Sequence, residues 1–200
     1  MCIRDRFRGI TVREGVLLRG DAGWGEWSPF LEYDDATARP WLACAREEDL
    51  AVVRRRVDVP IAADESIRRA EDPYLVRDLE AADVAVLKVQ PLGGVRACLR
   101  IAEDIGLPVV VSSAVESSVG IAAGVALAAA LPELHHACGL ATVQLLRDDV
   151  AVAPLLPVDG MLPVGRPEVD DRALTRLSAT DDRVAHWRAR LASVGQDQPA

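Results

Sequence analysis

Three residues with complementary chemistry recur at one interval along this 200-residue chain. Asp64 and Lys88 are 24 residues apart, Lys88 and Ser112 are 24 apart, and Ser112 and His136 are 24 apart. Asp64 and its neighbour Glu65 offer carboxylate oxygens, the ligands a hard divalent cation takes. Lys88 follows a run of apolar residues. Desolvation and a nearby cation both favour a neutral amine, which suits a lysine there to proton transfer or charge stabilisation. Ser112 and Ser113 could donate hydrogen bonds to a substrate carboxylate. Any one of these residues could serve a turn or snorkel to solvent, but their equal spacing after short apolar runs sets them apart.

The elements that would position them follow from the same spacing. Val59–Ala63, Val84–Leu87 and Pro108–Val111 read as short buried strands, with His136–Gly139 a fourth. The helices expected between them run from an N-cap at Asp72 to about Ala81, from Val95 to Ile105 with Gly106 as its stop, and from Ser118 to Leu131;. Before them, Leu50, Val53 and Val57 share a helical face, with Arg54, Arg55 and Arg56 near its C-terminal end. Strand–helix units at a constant period imply a parallel sheet with right-handed crossovers, whose strands are apolar because both faces are covered. Polar residues at the C-terminal strand ends then line one cleft. A (β/α) barrel suits this better than a dinucleotide-binding sheet, since no Gly-x-Gly-x-x-Gly turn follows a strand.

The flanks read differently. Residues 1–45 read as a small antiparallel layer with strands at Phe7–Arg13, Val16–Arg19 and Trp24–Ser28, a Phe30–Tyr33 loop and a helix capped by Asp34 or Asp35. Residues 46–168 form the repeating unit, and 169–200 a tail of two short helices with Trp187 turned inward and a frayed end;. Aromatics are 4% of the residues and hydrophobics 50%, so the core is aliphatic. A net charge of −8 disfavours nonspecific nucleic-acid binding;. The longest apolar run, Val119–Leu131, falls short of the ~20 residues a membrane span needs. No apolar stretch follows Met1–Arg6, so no signal peptide is expected. Cys2, Cys44, Cys98 and Cys138 are scattered without a Cys-x-x-Cys pair and read as free thiols in a reducing cytoplasm;. The histidines lack ligand spacing, and Gly93-Gly94 reads as a tight turn in preference to an anion site.

The strand-end motifs also resemble a known family. Val59-Pro-Ile-Ala-Ala-Asp64-Glu65-Ser66, Val86-Leu-Lys88-Val-Gln-Pro-Leu-Gly93-Gly94 and Val111-Ser112-Ser113-Ala-Val-Glu116-Ser-Ser-Val-Gly120 are similar to the muconate-lactonizing subgroup of the enolase superfamily. Within it they look most like the o-succinylbenzoate synthases of actinobacterial type. Gly139–Thr142 resembles the eighth-strand segment, and Gly23–Phe30 with Glu32-Tyr33 the N-terminal capping domain. The resemblance implies an α/β fold: the C-terminal half, strands 5–8, of a TIM-type barrel beside a partial α+β capping domain. It implies a magnesium-assisted lyase that dehydrates a cyclohexadiene carboxylate to o-succinylbenzoate for menaquinone synthesis. Asp64 would match a magnesium ligand and Lys88 the lysine facing the enediolate intermediate. Ser112, Ser113 and Gly139 would lie near the substrate's succinyl group, with Glu65 and Glu116 in support.

The chain departs from that pattern at the first half of the barrel. The family's second-strand Lys-x-Lys base is absent, and Lys88 is the only lysine in the chain. Two further carboxylate ligands, from the third and fourth strands, have no counterpart. An internal deletion of roughly 100 residues between Cys44 and Asp49 accounts for this, since a barrel alone takes ~250 residues. The expectation is a family member inactive by itself and prone to self-association through an open sheet edge. An epimerase, racemase or cycloisomerase of the superfamily and a non-catalytic half-barrel are the alternatives.

Overall fold

The computed structural model describes residues 2–7, 10–12, 16–20, 23–27, 50–51, 54–64 and 66–196. Its centre is a three-stranded parallel sheet in the order β5 (Ala62–Ala63), β6 (Val84–Lys88), β7 (Val109–Ser112). Helices α1 (Asp72–Asp78) and α2 (Val95–Ile105) connect these strands, and α3 (Ser118–Ala130) follows β7. A strand of continuous small and β-branched residues suits a sheet covered on both faces, and every residue of Val84–Leu87 is buried;. The core is aliphatic throughout, built on residues such as Ile67, Val76, Leu87, Ile101, Val111 and Ile121.

The helix boundaries have local causes. Gly106 closes α2 in the left-handed conformation at φ 64°;. Gly94 precedes α2 at φ 103°, open to glycine and strained for other residues, so the Gly93-Gly94 pair is a turn;. The Ser117 hydroxyl caps α3 by accepting from the Val119 N–H;. Two boundaries differ from the sequence expectation. Asp72 is the first residue of α1 and not its cap, because its carboxylate accepts from the N–H groups of Arg68 and Arg69 in the preceding turn, each at 2.7 Å. The helix then stops at Asp78, three residues early.

The fourth strand is the larger correction. His136 is exposed, and only Gly139 bridges to the sheet, parallel to Ser112. The exposed residues 132–137 consume three more positions than the period of 24 allows. Strand β5 is likewise shorter than Val59–Ala63. Pro60 has no N–H for a ladder, and the Ile61 N–H is taken by the Asp83 carboxylate at 2.8 Å;. Before β5, helical backbone is present at Leu50, Ala51 and Arg54, and Val57 lies beyond it, 40% exposed. Arg54 does not merely complement a helix end. It reaches Asp83 at 2.9 Å and the Glu80 carbonyl, tying the segment before β5 to the turn before β6.

The N-terminal strands form two separate antiparallel pairs, β1 (Cys2–Phe7) with β2 (Ile10–Val12) and β3 (Val16–Gly20) with β4 (Gly23–Trp27). The first expected strand, Phe7–Arg13, is replaced by this β1–β2 hairpin. The Phe30–Tyr33 loop and the Asp34–Asp35 cap lie outside the described residues. After the sheet come a 3-10 helix (Thr142–Leu145), α4 (Asp171–Arg176) and α5 (Asp181–Gln196), whose Trp187 is buried. No helix among the described residues is long and apolar enough to cross a membrane.

Candidate functional site

The C-terminal ends of β5, β6 and β7 bring the candidate residues together. Parallel pairing sets Lys88 opposite Ser112, and Ser112 opposite Gly139. Directly paired residues of neighbouring strands project to the same face. Lys88 Nζ forms an ion pair with Asp64 Oδ1 just past the end of β5. The lysine side chain is 15% exposed and the aspartate 46%, so the pair spans from the sheet interior to the mouth of the cleft.

The serines divide the work. Ser113 Oγ donates to the Gly139 carbonyl at 3.1 Å and lies 2.8 Å from Thr142 Oγ1. It therefore ties the end of β7 to the 3-10 helix. Ser112 lies so close to Gly139 that a Cβ at that position would meet the serine Oγ at 2.8 Å. Gly139 thus admits the Ser112 hydroxyl where a side chain would displace it. Thr142 closes the Gly139–Thr142 motif, and its hydroxyl is a partner of Ser113. Nothing in its spacing marks it, because the contact crosses between elements 29 residues apart.

Glu116 occupies a different place from Asp64. It is buried, and its Oε2 accepts from the Ala114 N–H at 2.7 Å within the turn after β7. The same turn holds Val115 at φ 64°, a left-handed conformation that is strained for a β-branched residue;. Glu116 shapes the backbone beyond Ser113. Glu65 lies outside the described residues. A second concavity, about 560 Å³, opens between α2 and α3 near Pro108 and Leu131. It sits at the opposite end of β7 from Ser112.

Magnesium takes oxygen ligands in near-ideal octahedral geometry and is commonly held by one or two carboxylates. The described residues bring one carboxylate to the cleft, and that carboxylate is ion-paired with Lys88. No group of three or more His, Cys, Asp or Glu among the described residues could hold a metal ion. The described residues alone do not fit a magnesium site.

Comparison with known proteins agrees with this geometry. Residues 1–49 match the family described as Enolase N-terminal domain-like, and residues 40–168 match Enolase C-terminal domain-like. The solved 2-chloromuconate cycloisomerase from Rhodococcus opacus 1CP shares 28% identity at a TM-score of 0.60, over 74% of this chain and 46% of that one. The chain therefore spans about half the length of that solved relative. Fold and site together define an enolase-superfamily protein with an α/β parallel-sheet core. The o-succinylbenzoate synthase of Thermobifida fusca (strain YX) is 44% identical over 298 aligned residues, covering 96% of this chain and 93% of the relative. That of Mycolicibacterium smegmatis (strain ATCC 700084 / mc(2)155) is 37% identical, with coverages of 94% and 91%. The chain belongs to the o-succinylbenzoate synthase family, a family of carbon–oxygen lyases. An alignment of 298 positions to a chain of 200 leaves about 100 positions of the Thermobifida relative facing no residue here.

Proposed function

We propose that this chain carries the substrate-facing half of an o-succinylbenzoate synthase site and that, alone, it does not complete the dehydration. The observation that carries the proposal is the Lys88–Asp64 ion pair beside Ser112, at the ends of adjacent parallel strands. The substrate class is a cyclohexadiene carboxylate that loses water to give o-succinylbenzoate, on the route to menaquinone. Lys88 would place its ammonium against the negative charge that develops on the substrate carboxylate after proton abstraction. Ser112 would direct its hydroxyl at a second carboxylate of the substrate, with Ser113, Gly139 and Thr142 fixing its surroundings. In a complete family member magnesium polarises the carboxylate as a Lewis acid.

The finer architecture belongs to the same reading: residues 46–168 as strands 5–8 of a TIM-type barrel, 1–45 as part of a capping domain, and 169–200 as a helical tail. The missing stretch would fall between Cys44 and Asp49, where the resemblance passes from cap to barrel. Free thiols at Cys98 and Cys138 support a cytoplasmic location;. A non-catalytic half-barrel is the second reading, favoured by the single carboxylate in the cleft. A superfamily racemase or cycloisomerase would need the same absent groups.

The test is turnover of the cyclohexadiene substrate with magnesium, followed by o-succinylbenzoate absorbance. The 200-residue chain is expected to give none. Insertion of the unmatched stretch of the Thermobifida relative between Cys44 and Asp49 should restore it, and Lys88→Ala in the restored chain should cost ~10²–10⁴-fold. A folded restored chain without turnover would sink the proposal.

A further inference from the structure

The central sheet has two open sides among the described residues. On one side, pairing to β6 uses the Ile61 carbonyl, which accepts from the Val84 N–H at 3.1 Å. By the alternation of a parallel ladder, the N–H and C=O of Ala62 then point away from β6;. On the other side, the Gly139 N–H donates to the Val111 carbonyl at 2.8 Å, so the far side of that segment faces outward. Among the described residues, the N-terminal strands pair with one another and join neither side. Apolar side chains flank both openings. Val57 and Val59 are exposed beside β5, and Leu134 and Leu145 are exposed on either side of Gly139.

We propose that a second copy of this chain closes the barrel. The outer edge of β5 in each copy pairs in parallel with the Gly139 segment of the other, about a twofold axis along the barrel. This rests on the half-barrel reading above. β5, β6, β7 and the Gly139 segment supply four strand positions, and two copies supply the eight that an interior filled by side chains requires;. The occupant follows from length as well as from count. About 100 positions that face no residue of this chain are what the Thermobifida relative has in addition, and a second copy brings a segment of comparable size. The two contacts must form together. One edge pairing that failed to close would leave an edge free and propagate into an open polymer. Closure puts all four βα turns of both copies around one mouth, so each copy receives a second Asp64, Lys88 and Ser112 from its partner.

Light scattering on the eluting chain is expected to give twice the 21.5 kDa chain mass. Ala62→Pro removes an outward N–H and leaves the bond from Val84 untouched, so it should weaken the dimer ~10-fold or more while far-UV circular dichroism and the tryptophan emission stay as in the parent. A second measurement does not depend on that variant folding. In a Cys2→Ser, Cys44→Ser background, Ile61→Cys, which like Cys138 lies on the sheet face opposite Lys88, Ser112 and Gly139, should form an intermolecular disulfide with the native Cys138 on mild oxidation, and Cys138→Ser should abolish it;. Within one chain these positions are three strand spacings apart, about 14 Å, beyond the reach of a disulfide. A monomer over a wide concentration range, a dimer that forms no such disulfide, or a ladder of higher oligomers would each overturn closure. All three would leave the turnover test of the restored chain unaffected.

Discussion

Gly120 and Gly124 sit one turn apart in α3, and replacing each by alanine separates two effects that usually act together. A Cβ at Gly120 would meet Glu116 Cβ at 2.5 Å, and one at Gly124 would meet Leu140 Cδ2 at 2.6 Å. The distances are similar but the neighbours are not. Leu140 Cδ2 is the far end of a side chain that can turn aside, whereas Glu116 Cβ is held by a buried turn. Alanine is favoured over glycine inside a helix by about 1 kcal/mol. Overpacking costs roughly 1–3 kcal/mol. Gly124→Ala is therefore expected to be nearly neutral and Gly120→Ala clearly destabilising in urea titrations. Cys98 provides a second test at this scale. It is fully buried, and burial pushes its thiol up from 9.0 to about 11. The folded state thus holds the proton more tightly than the unfolded one. Its contribution to stability is complete below about pH 9 and is lost as pH rises toward 11;. Alkylation of the native chain at pH 8, mapped by mass spectrometry, should modify Cys138 and spare Cys98.

Single side chains also join elements that do not share a strand or helix. Ser118, the first residue of α3, is fully buried. Its hydroxyl donates to the Asp149 carboxylate and accepts from the Leu155 N–H at 2.8 Å. Ser118→Ala would strand a buried N–H and a carboxylate oxygen together, so a loss of about 1–3 kcal/mol is expected in denaturant titrations. Asp83 plays the corresponding part for β5. It accepts from Arg54 and from the Ile61 N–H, and the Arg54 hydrogen bond, followed by that backbone bond, holds its carboxyl below the usual carboxylate range. A depressed carboxyl contributes stability above its unfolded pKa and loses it as pH falls through the folded value. Asp83→Asn should therefore melt earlier than the parent at neutral pH, with the gap closing in acid. A gap that persisted under acid conditions would show that the ion pair is not its source.

For the whole molecule, the ion pair between Lys88 and Asp64 bears on metal binding. A ligand stabilises the folded state by RT ln(1 + [L]/Kd), about 0.2 kcal/mol when it is present at half its Kd. With one ion-paired carboxylate per copy, millimolar magnesium should leave the melting temperature of the unassociated chain unchanged. A shift of several degrees would mean that carboxylates outside the described residues complete a site.

Much of this was legible before any coordinates, because strand–helix repetition is written in local terms. Apolar runs specify buried strands, and glycine or proline at their flanks specifies the turns. Lys88 and Ser112 are paired at the period of 24, whereas β5 pairs with β6 at an offset of 22, so Asp64 reaches Lys88 from a position two residues short of the one opposite it. The fourth unit broke that period, because exposed residues 132–137 have no local mark that distinguishes them from the approach to a strand. The two-residue length of β5 was set by Asp83, 22 residues beyond Ile61, which captures a backbone N–H that the ladder would otherwise use. Thr142 meeting Ser113, and Glu116 turning into the loop after β7, depend on how separate elements pack. Residue type and local order therefore decided the family, the parallel sheet and the members of the cleft. Which of those members bond to one another was decided by tertiary structure: Ser113 meets Gly139 and Thr142 across 26 and 29 residues, separations that answer to distance in space and fall outside the period of 24.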